Sequence, residues 1–296
     1  MPSIPKGTPP AEIEITPNLI RELLQSQHPD LADLPLSYMS EGWDNIMFRL
    51  GDEMTIRLPR REKAAHLLKN EQDWLPILTK DFPIPTPIPI RNGKPDKNYP
   101  WHWSVLPWLK GETANRQQPG DDQVEEFIEC LKKLHQIAPN NAPANPYRGV
   151  PLIEGAEKIE DRLVSLKSRT NFITKEIEKI WQEAIDAPYA KNRCWIHGDL
   201  HTRNILVHEG KLSGIIDWGD MTSGDVANDL VPIWMLWKNP ATRQRALDAY
   251  EVTPEILARA KGWVIYFCAV LLDTGLVDNP EHAEMGRITL ERLVES

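Results

Sequence analysis

The spacing of apolar side chains changes character twice along the chain. Leu19, Ile20, Leu23 and Leu24 recur at helical intervals behind Thr16-Pro17, a hydroxyl cap followed by proline, and predict a short first helix. From Leu36 to Leu58 the period shortens to that of strands. Leu36 to Met39, Ile46 to Leu50 and Met54 to Leu58 are short runs separated by Ser40-Glu41-Gly42-Trp43-Asp44-Asn45 and Gly51-Asp52-Glu53, which predicts an antiparallel sheet. A helix is expected from about Arg61 to Thr79, then a stiff extended segment from Pro83 to Pro89 and a strand from Trp101 to Leu109. Beyond Gly111 the pattern is helical: Asp121 to about Ile137, Glu154 to Lys167, Thr174 to Ile185, Ala241 to Tyr250, Pro254 to Leu272 and Glu281 to Val294. Four prolines among the first ten residues predict a loose arm over residues 1–15.

One stretch interrupts the helices. Cys194 to Ile196 is a short apolar run that ends in His197-Gly198-Asp199, where glycine eases a turn. Ile205 to Val207 and Leu212 to Ile216 follow, joined by His208-Glu209-Gly210-Lys211, and read as a hairpin. Asn204 enters its first strand and Asp217 leaves its second, so two oxygen ligands are expected at the same end, as a hard cation such as Mg²⁺ requires. Asp199, on the preceding loop, is placed to orient an acceptor hydroxyl and take its proton. A metal-dependent hydrolase is the alternative, because His197, Asp199 and His201 alternate. It needs further ligand clusters, and the other histidines are scattered singly. His197 and His201 therefore read as loop-bracing residues.

Composition adds compartment and partner class. Hydrophobic residues at 41% and charged residues at 26% are those of a globular protein, and the net charge of −9 argues against nucleic acid or an anionic membrane as partner while leaving room for a cationic substrate. Cys130, Cys194 and Cys268 form no Cys-x-x-Cys pair and sit in apolar settings, as buried thiols of a reducing compartment do. The start lacks the apolar core of a signal peptide, and the longest apolar run, Trp263 to Leu272, is about half a membrane span. A cytoplasmic enzyme is expected.

His197-Gly198-Asp199 with Asn204, and Asp217-Trp218-Gly219, resemble the HRD-x-x-x-x-N and DFG elements of protein kinases, in the form used by the aminoglycoside phosphotransferase family and its choline-kinase-like relatives. The resemblance implies an α+β, bilobal, protein-kinase-like fold: an N-lobe with a small antiparallel sheet over 16–108 and a mainly helical C-lobe over 109–296. It implies transfer of the γ-phosphoryl of ATP or GTP, with Mg²⁺, to a hydroxyl of a small molecule such as an aminoglycoside-type antibiotic or a related amino-alcohol or sugar. Gly198 stands where protein kinases carry arginine, and no long activation segment fits after Gly219, which favours a small acceptor.

By the same resemblance Asp199 is the catalytic base, Asn204 and Asp217 hold the metal, and Asp229 braces the catalytic loop. Ser40 and Gly42 lie where kinases keep the phosphate-covering loop, Arg57 occupies the place of the strand-three lysine, and Glu71 is its partner. The carbonyl of Pro107 and the N–H of Leu109 are the adenine-facing positions. Asp220, Trp234 and Asp273, with Asp278, Glu281 and Glu284 nearby, are the acceptor-side candidates. Arginine is not equivalent to lysine, so a nucleotide-binding protein with little turnover is the competing reading.

Overall fold

Thr16 starts the first helix as its hydroxyl predicts: Oγ1 accepts the Leu19 N–H at 3.2 Å, with proline at the first helical position of α1 (Pro17–Gln27). The computed structural model describes residues 10–189 and 192–295, grouped as two units. The first comprises residues 10–81 and 86–109, and the second residues 82–85, 110–189 and 192–295. Four residues inside the expected N-lobe, Phe82–Pro85, thus group with the second unit.

In the first unit, β1 (Leu36–Glu41), β2 (Asn45–Leu50), β3 (Met54–Pro59), β4 (Arg91–Gly93) and β5 (Trp103–Pro107) form one antiparallel sheet in the order β1-β2-β3-β5-β4. Alternation in β2 and β3 buries Phe48, Leu50, Ile56 and Leu58 in a core with Ile20, Leu23 and Leu24 of α1 and with Tyr99, Trp103 and Val105. Each such side chain contributes about 1.5–3 kcal/mol of transfer free energy. α2 (Glu62–Leu78) adds Gln72, whose Nε2 donates to the Trp103 carbonyl at 2.8 Å.

The loose arm narrows. Residues 1–9 lie outside the described residues, whereas the Glu12 N–H donates to the Arg60 carbonyl at 2.9 Å and Ile13 and Ile15 pack against the core. Two apolar side chains just ahead of α1 outweigh the prolines before them. β4 was not expected, because Arg-Asn-Gly has no apolar alternation.

In the second unit, β6 (Glu112–Thr113) leads to α3 (Val124–Leu134), α4 (Leu152–Arg169) and α5 (Lys175–Asp186). β7 (Cys194–Ile196), β8 (Ile205–His208), β9 (Lys211–Ile215) and β10 (Thr222–Gly224) follow. The last helices are α6 (Pro232–Leu236), α7 (Pro240–Tyr250), α8 (Pro254–Asp278) and α9 (Pro280–Val294). β6, β8 and β9 make one antiparallel sheet, β7 and β10 another. α3 stops at Leu134, short of the expected Ile137, which instead bridges to Cys194. α8 runs past the expected Leu272 to Asp278. By length and composition it could cross a membrane, but here it is a core helix, its Trp263, Val264, Cys268 and Leu272 buried against α4, α5 and α9.

Residues 82–85 complete this unit. The Ile215 N–H donates to the Pro85 carbonyl at 3.0 Å, and the Phe82 ring meets Trp218 edge-on, with centroids 6.1 Å apart.

Candidate functional site

β7 delivers the chain into His197-Gly198-Asp199, and a buried carboxylate fixes the turn. Asp229 Oδ2 accepts the His197 N–H at 2.5 Å and Oδ1 accepts the Gly198 N–H at 3.0 Å. Asn228 Nδ2 donates to the Gly198 carbonyl at 2.8 Å and to Asp229 Oδ1 at 3.0 Å. Gly198 has φ of +86°, and a Cβ there would lie 2.5 Å from the Asp220 carbonyl oxygen, so only glycine fits without a shift. Burial works to raise the pKa of the Asp229 carboxyl. His135 and His197 outweigh it and hold the group below the usual carboxylate range.

The His197 ring is also committed. Its Nδ1 accepts the Asp199 N–H at 3.3 Å, which leaves Nε2 to donate to the Ile216 carbonyl at 3.0 Å. Tilted on Trp218 with centroids 4.6 Å apart, the ring joins the loop to the end of β9.

A 3₁₀ turn over Thr202–Asn204 carries Asn204 into β8. Asn204 Nδ2 donates to the Asp199 carbonyl at 2.8 Å, which leaves Oδ1 as the atom able to ligate a cation, and the Ile216 N–H donates to the Asn204 carbonyl at 2.9 Å. The strand pair places Ile205 opposite Ile215, so Asn204 and Asp217 emerge at the same end of the hairpin. Asp217 is exposed and left-handed, with φ of 61°. An amide oxygen and a carboxylate are the hard donors that Mg²⁺ takes together with phosphate and water oxygens. Among the described residues no group of three or more His, Cys, Asp or Glu side chains could hold a metal, so the hydrolase alternative lacks its ligand set.

Arg148, which the sequence reading did not single out, contacts the candidate base directly. Its NH2 donates to Asp199 Oδ1 at 2.5 Å, its Nε lies 3.8 Å from Asp220 Oδ2, and its guanidinium lies 4.9 Å from the Phe267 ring centroid. Among the described residues the contacts of Asp199 Oδ2 are long, 3.5 Å each, to His201 Nε2 and Asn204 Nδ2. Burial alone would raise the pKa of Asp199, but Arg148, His201 and His197 hold it well below the carboxylate range. For Asp220 burial wins, and its pKa stands above the ordinary value despite Arg148. Arg148 reaches the loop because Gly149 and Gly224 lie back to back. A Cβ on Gly224 would approach the Gly149 Cα to 2.7 Å.

In the first unit, Arg57 NH1 donates to both oxygens of Glu71 at 2.9 Å, and both side chains are buried. Asn45, with its amide oxygen turned toward the guanidinium, accepts from Arg57 Nε at 3.1 Å and NH2 at 2.9 Å. The Gly42 N–H, expected to be offered to phosphate, already donates to the Asn45 carbonyl at 2.9 Å, and Arg60 NH1 donates to the Gly42 carbonyl at 2.7 Å. Strand pairing extends farther into this turn than expected, with Ser40 in β1 opposite Met47, its side chain exposed. Pro107 ends β5 opposite Met54, and the next N–H, of Trp108, donates to the Glu53 carbonyl at 2.8 Å, fixing the approach to Leu109. Trp103 and Trp101 belong to the core, whereas Trp108 is exposed with the Arg49 guanidinium 4.0 Å from its ring centroid.

The acceptor-side candidates fare unevenly. Trp234 is 1% exposed within α6 and has no face for a ligand, because the apolar run Leu230–Leu236 packs on all sides. Asp273 lies inside α8 and pairs with Arg169 at 2.7 Å and Arg162 at 3.6 Å. Asp220 stays beside the catalytic loop, where its Oδ1 accepts from Asn145 Nδ2 at 2.8 Å.

An antiparallel sheet with a buried arginine–glutamate pair, and a helical unit whose braced His-Gly-Asp loop precedes a hairpin carrying Asn204 and Asp217 at one end, define a protein-kinase-like fold. The chain belongs to the phosphotransferase enzyme family, whose model matches residues 36–263. It is 25% identical over 201 residues to aminoglycoside 3′-phosphotransferase of Salmonella typhimurium, covering 64% of this chain and 71% of that protein. Its fold is similar to that of APH(2″)-IIIa in complex with GDP and kanamycin, with a TM-score of 0.64 at 17% identity over 94% of this chain and 99% of the other. The macrolide 2′-phosphotransferase MphH from Brachybacterium faecium, as apoenzyme, gives a TM-score of 0.61 at 18% identity over 92% and 97%.

Proposed function

We propose that the chain is a Mg²⁺-dependent kinase that moves the terminal phosphoryl group of ATP or GTP to a hydroxyl of a small molecule, in a cytoplasmic setting. The observation that supports this reading is the hydrogen-bonded unit Asp199–Asn204–Ile216, which joins the Asp199 loop to the hairpin end carrying Asn204 and Asp217. Asp199 Oδ2 receives the hydroxyl proton while the oxygen bonds to phosphorus and the nucleoside diphosphate departs with the electron pair of the broken bond. Held below the carboxylate range, Asp199 is ionised at neutral pH and orients the hydroxyl by accepting its hydrogen bond. Asn204 Oδ1 and the Asp217 carboxylate would hold the cation, which when bound neutralises charge on the phosphate oxygens. The relatives' names put sugar hydroxyls of antibiotics first among acceptors to try. Free cysteines, Cys130 with its thiol pushed up to about 12 by burial, support a reducing compartment.

The test is transfer from Mg²⁺-ATP and Mg²⁺-GTP to a panel of aminoglycosides, macrolides, amino-alcohols and sugars, with Asp199→Ala and Asp217→Ala alongside. We expect Asp199→Ala to lower turnover about 10²–10⁴-fold with nucleotide affinity retained, and Asp217→Ala to lose Mg²⁺-dependent nucleotide binding. Full activity in Asp199→Ala refutes the proposal. A nucleotide-binding protein of low turnover is the second reading, favoured by Arg57, whose guanidinium is engaged by Glu71 and Asn45. Nucleotide binding without transfer to any acceptor would select it.

A further inference from the structure

Four of the five acids expected to meet a cationic acceptor are already paired with arginines of this chain. Asp273 is held by Arg169 and Arg162, Glu281 by Arg116 at 3.2 Å, and Glu284 by Arg287 at 2.7 Å. The fourth, Asp220, shares Arg148 with the catalytic-loop carboxylate Asp199. The side chains of Arg148, Asp199 and Asp220 are 21%, 23% and 34% exposed, so a small molecule can reach all three. Arg148 is held from both sides, by the two carboxylates and by the Phe267 ring.

We infer that Arg148 makes the acceptor subsite a poor site for polycations and fits it to a hydroxyl compound that is neutral or carries one charge. The inference rests on the phosphotransfer reading for its use of the word acceptor. An ammonium group entering here either displaces Arg148 from its carboxylates or stays beside a guanidinium, and like charges placed together oppose binding. A hydroxyl needs only Asp199 Oδ2, the oxygen with long contacts. Phe267 is buried behind Arg148, and its half-buried neighbour Tyr266, with ring centroids 6.3 Å apart, is the aromatic side chain there that a sugar or lactone ring can reach.

Calorimetric titration without nucleotide separates charge from hydroxyl recognition when the probes are kanamycin and its fully N-acetylated derivative, which keeps the hydroxyls and loses the amino charges. We expect the wild-type protein to bind kanamycin no more tightly than the acetylated form, and Arg148→Gln to shift that preference toward kanamycin by at least about tenfold. Arg148→Lys keeps the wild-type preference. Asp220→Asn leaves kanamycin binding within about twofold in the wild-type background and removes most of the gain in Arg148→Gln. A wild-type preference for kanamycin of about tenfold or more overturns the inference, as does a preference unmoved by Arg148→Gln, including no kanamycin binding in either protein. If Arg148→Gln does not fold, Asp220→Asn decides, because a roughly tenfold loss of kanamycin binding would make Asp220 an amine ligand. Mg²⁺-nucleotide binding to the same preparations is read separately. Its absence alongside charge discrimination would defeat the phosphotransfer reading and leave Arg148 as a selectivity residue.

Discussion

Asp229 and His197 are joined by a 2.5 Å hydrogen bond from the His197 backbone N–H to a carboxylate with no exposed surface. With the Gly198 N–H on its other oxygen, this carboxylate sets the backbone on which Asp199 stands. Asp229→Ala leaves two buried backbone N–H groups and one hydrogen of the Asn228 amide unanswered, and we expect about 3–5 kcal/mol of destabilisation in urea titrations. Asp229→Asn, which can still accept at one oxygen, should lose less. A loss within about 0.5 kcal/mol for the alanine variant would mean the loop holds its own shape.

The same group gives the acid limb of stability a sign. The folded pKa of Asp229 is depressed, so its contribution is fully present above the unfolded value of about 3.9 and is lost as pH falls through the folded value. Between those limits the unfolded chain binds the extra proton, and stability rises with pH. Urea midpoints measured across pH 3–5, about the range where the unfolded carboxyl titrates, should fall less steeply in Asp229→Asn than in the wild-type protein.

Arg57 and Glu71 form a buried pair that either partner's removal strands. Glu71→Ala should cost about 3–5 kcal/mol, whereas the double replacement Arg57→Met with Glu71→Leu should recover most of that loss, because two buried charges disappear together. Arg57→Lys keeps the charge but offers no planar fork to two carboxylate oxygens. We expect it to lie between the two in thermal melts. If the double variant is as unstable as Glu71→Ala, packing and not the pair is what the site requires.

Gly198→Ala tests the turn itself. A left-handed φ and a Cβ 2.5 Å from a backbone oxygen predict a loss of about 1–3 kcal/mol and a displaced Asp199. A melting temperature equal to that of the wild-type protein would contradict the geometry.

Much of this was legible because it is local. The catalytic-loop hairpin, the Thr16 cap and the strands of the first sheet follow from period and turn chemistry within a few residues. Asp229 and the Arg57–Glu71 pair were reachable only through the family resemblance, since an acid at a helix start and an acid on a helix are ordinary features. Arg148 was missed for a different reason. It lies 51 positions from Asp199 in an aperiodic, proline-containing loop, and its reach depends on the back-to-back approach of Gly149 and Gly224, which no local pattern encodes. Asn145, Asn228 and His135 share that loss of signal. Trp234 and Asp273 misled in the opposite direction, because sequence position beside a functional stretch does not reveal whether a side chain points into the core or toward an arginine on another helix.

Residues 82–85 bear on modularity. The unit that carries Asp199 and Asp217 is not one continuous length of chain, since it takes in Phe82–Pro85 from within the other unit's sequence. A cut or a recombination joint after Leu109 would separate Ile215 from the Pro85 carbonyl and Trp218 from Phe82, one on each side of Asp217. The hairpin end that carries Asn204 and Asp217 therefore depends on a segment from residue 82 onward, and a joint at residue 109 cuts through one packed unit and not between two.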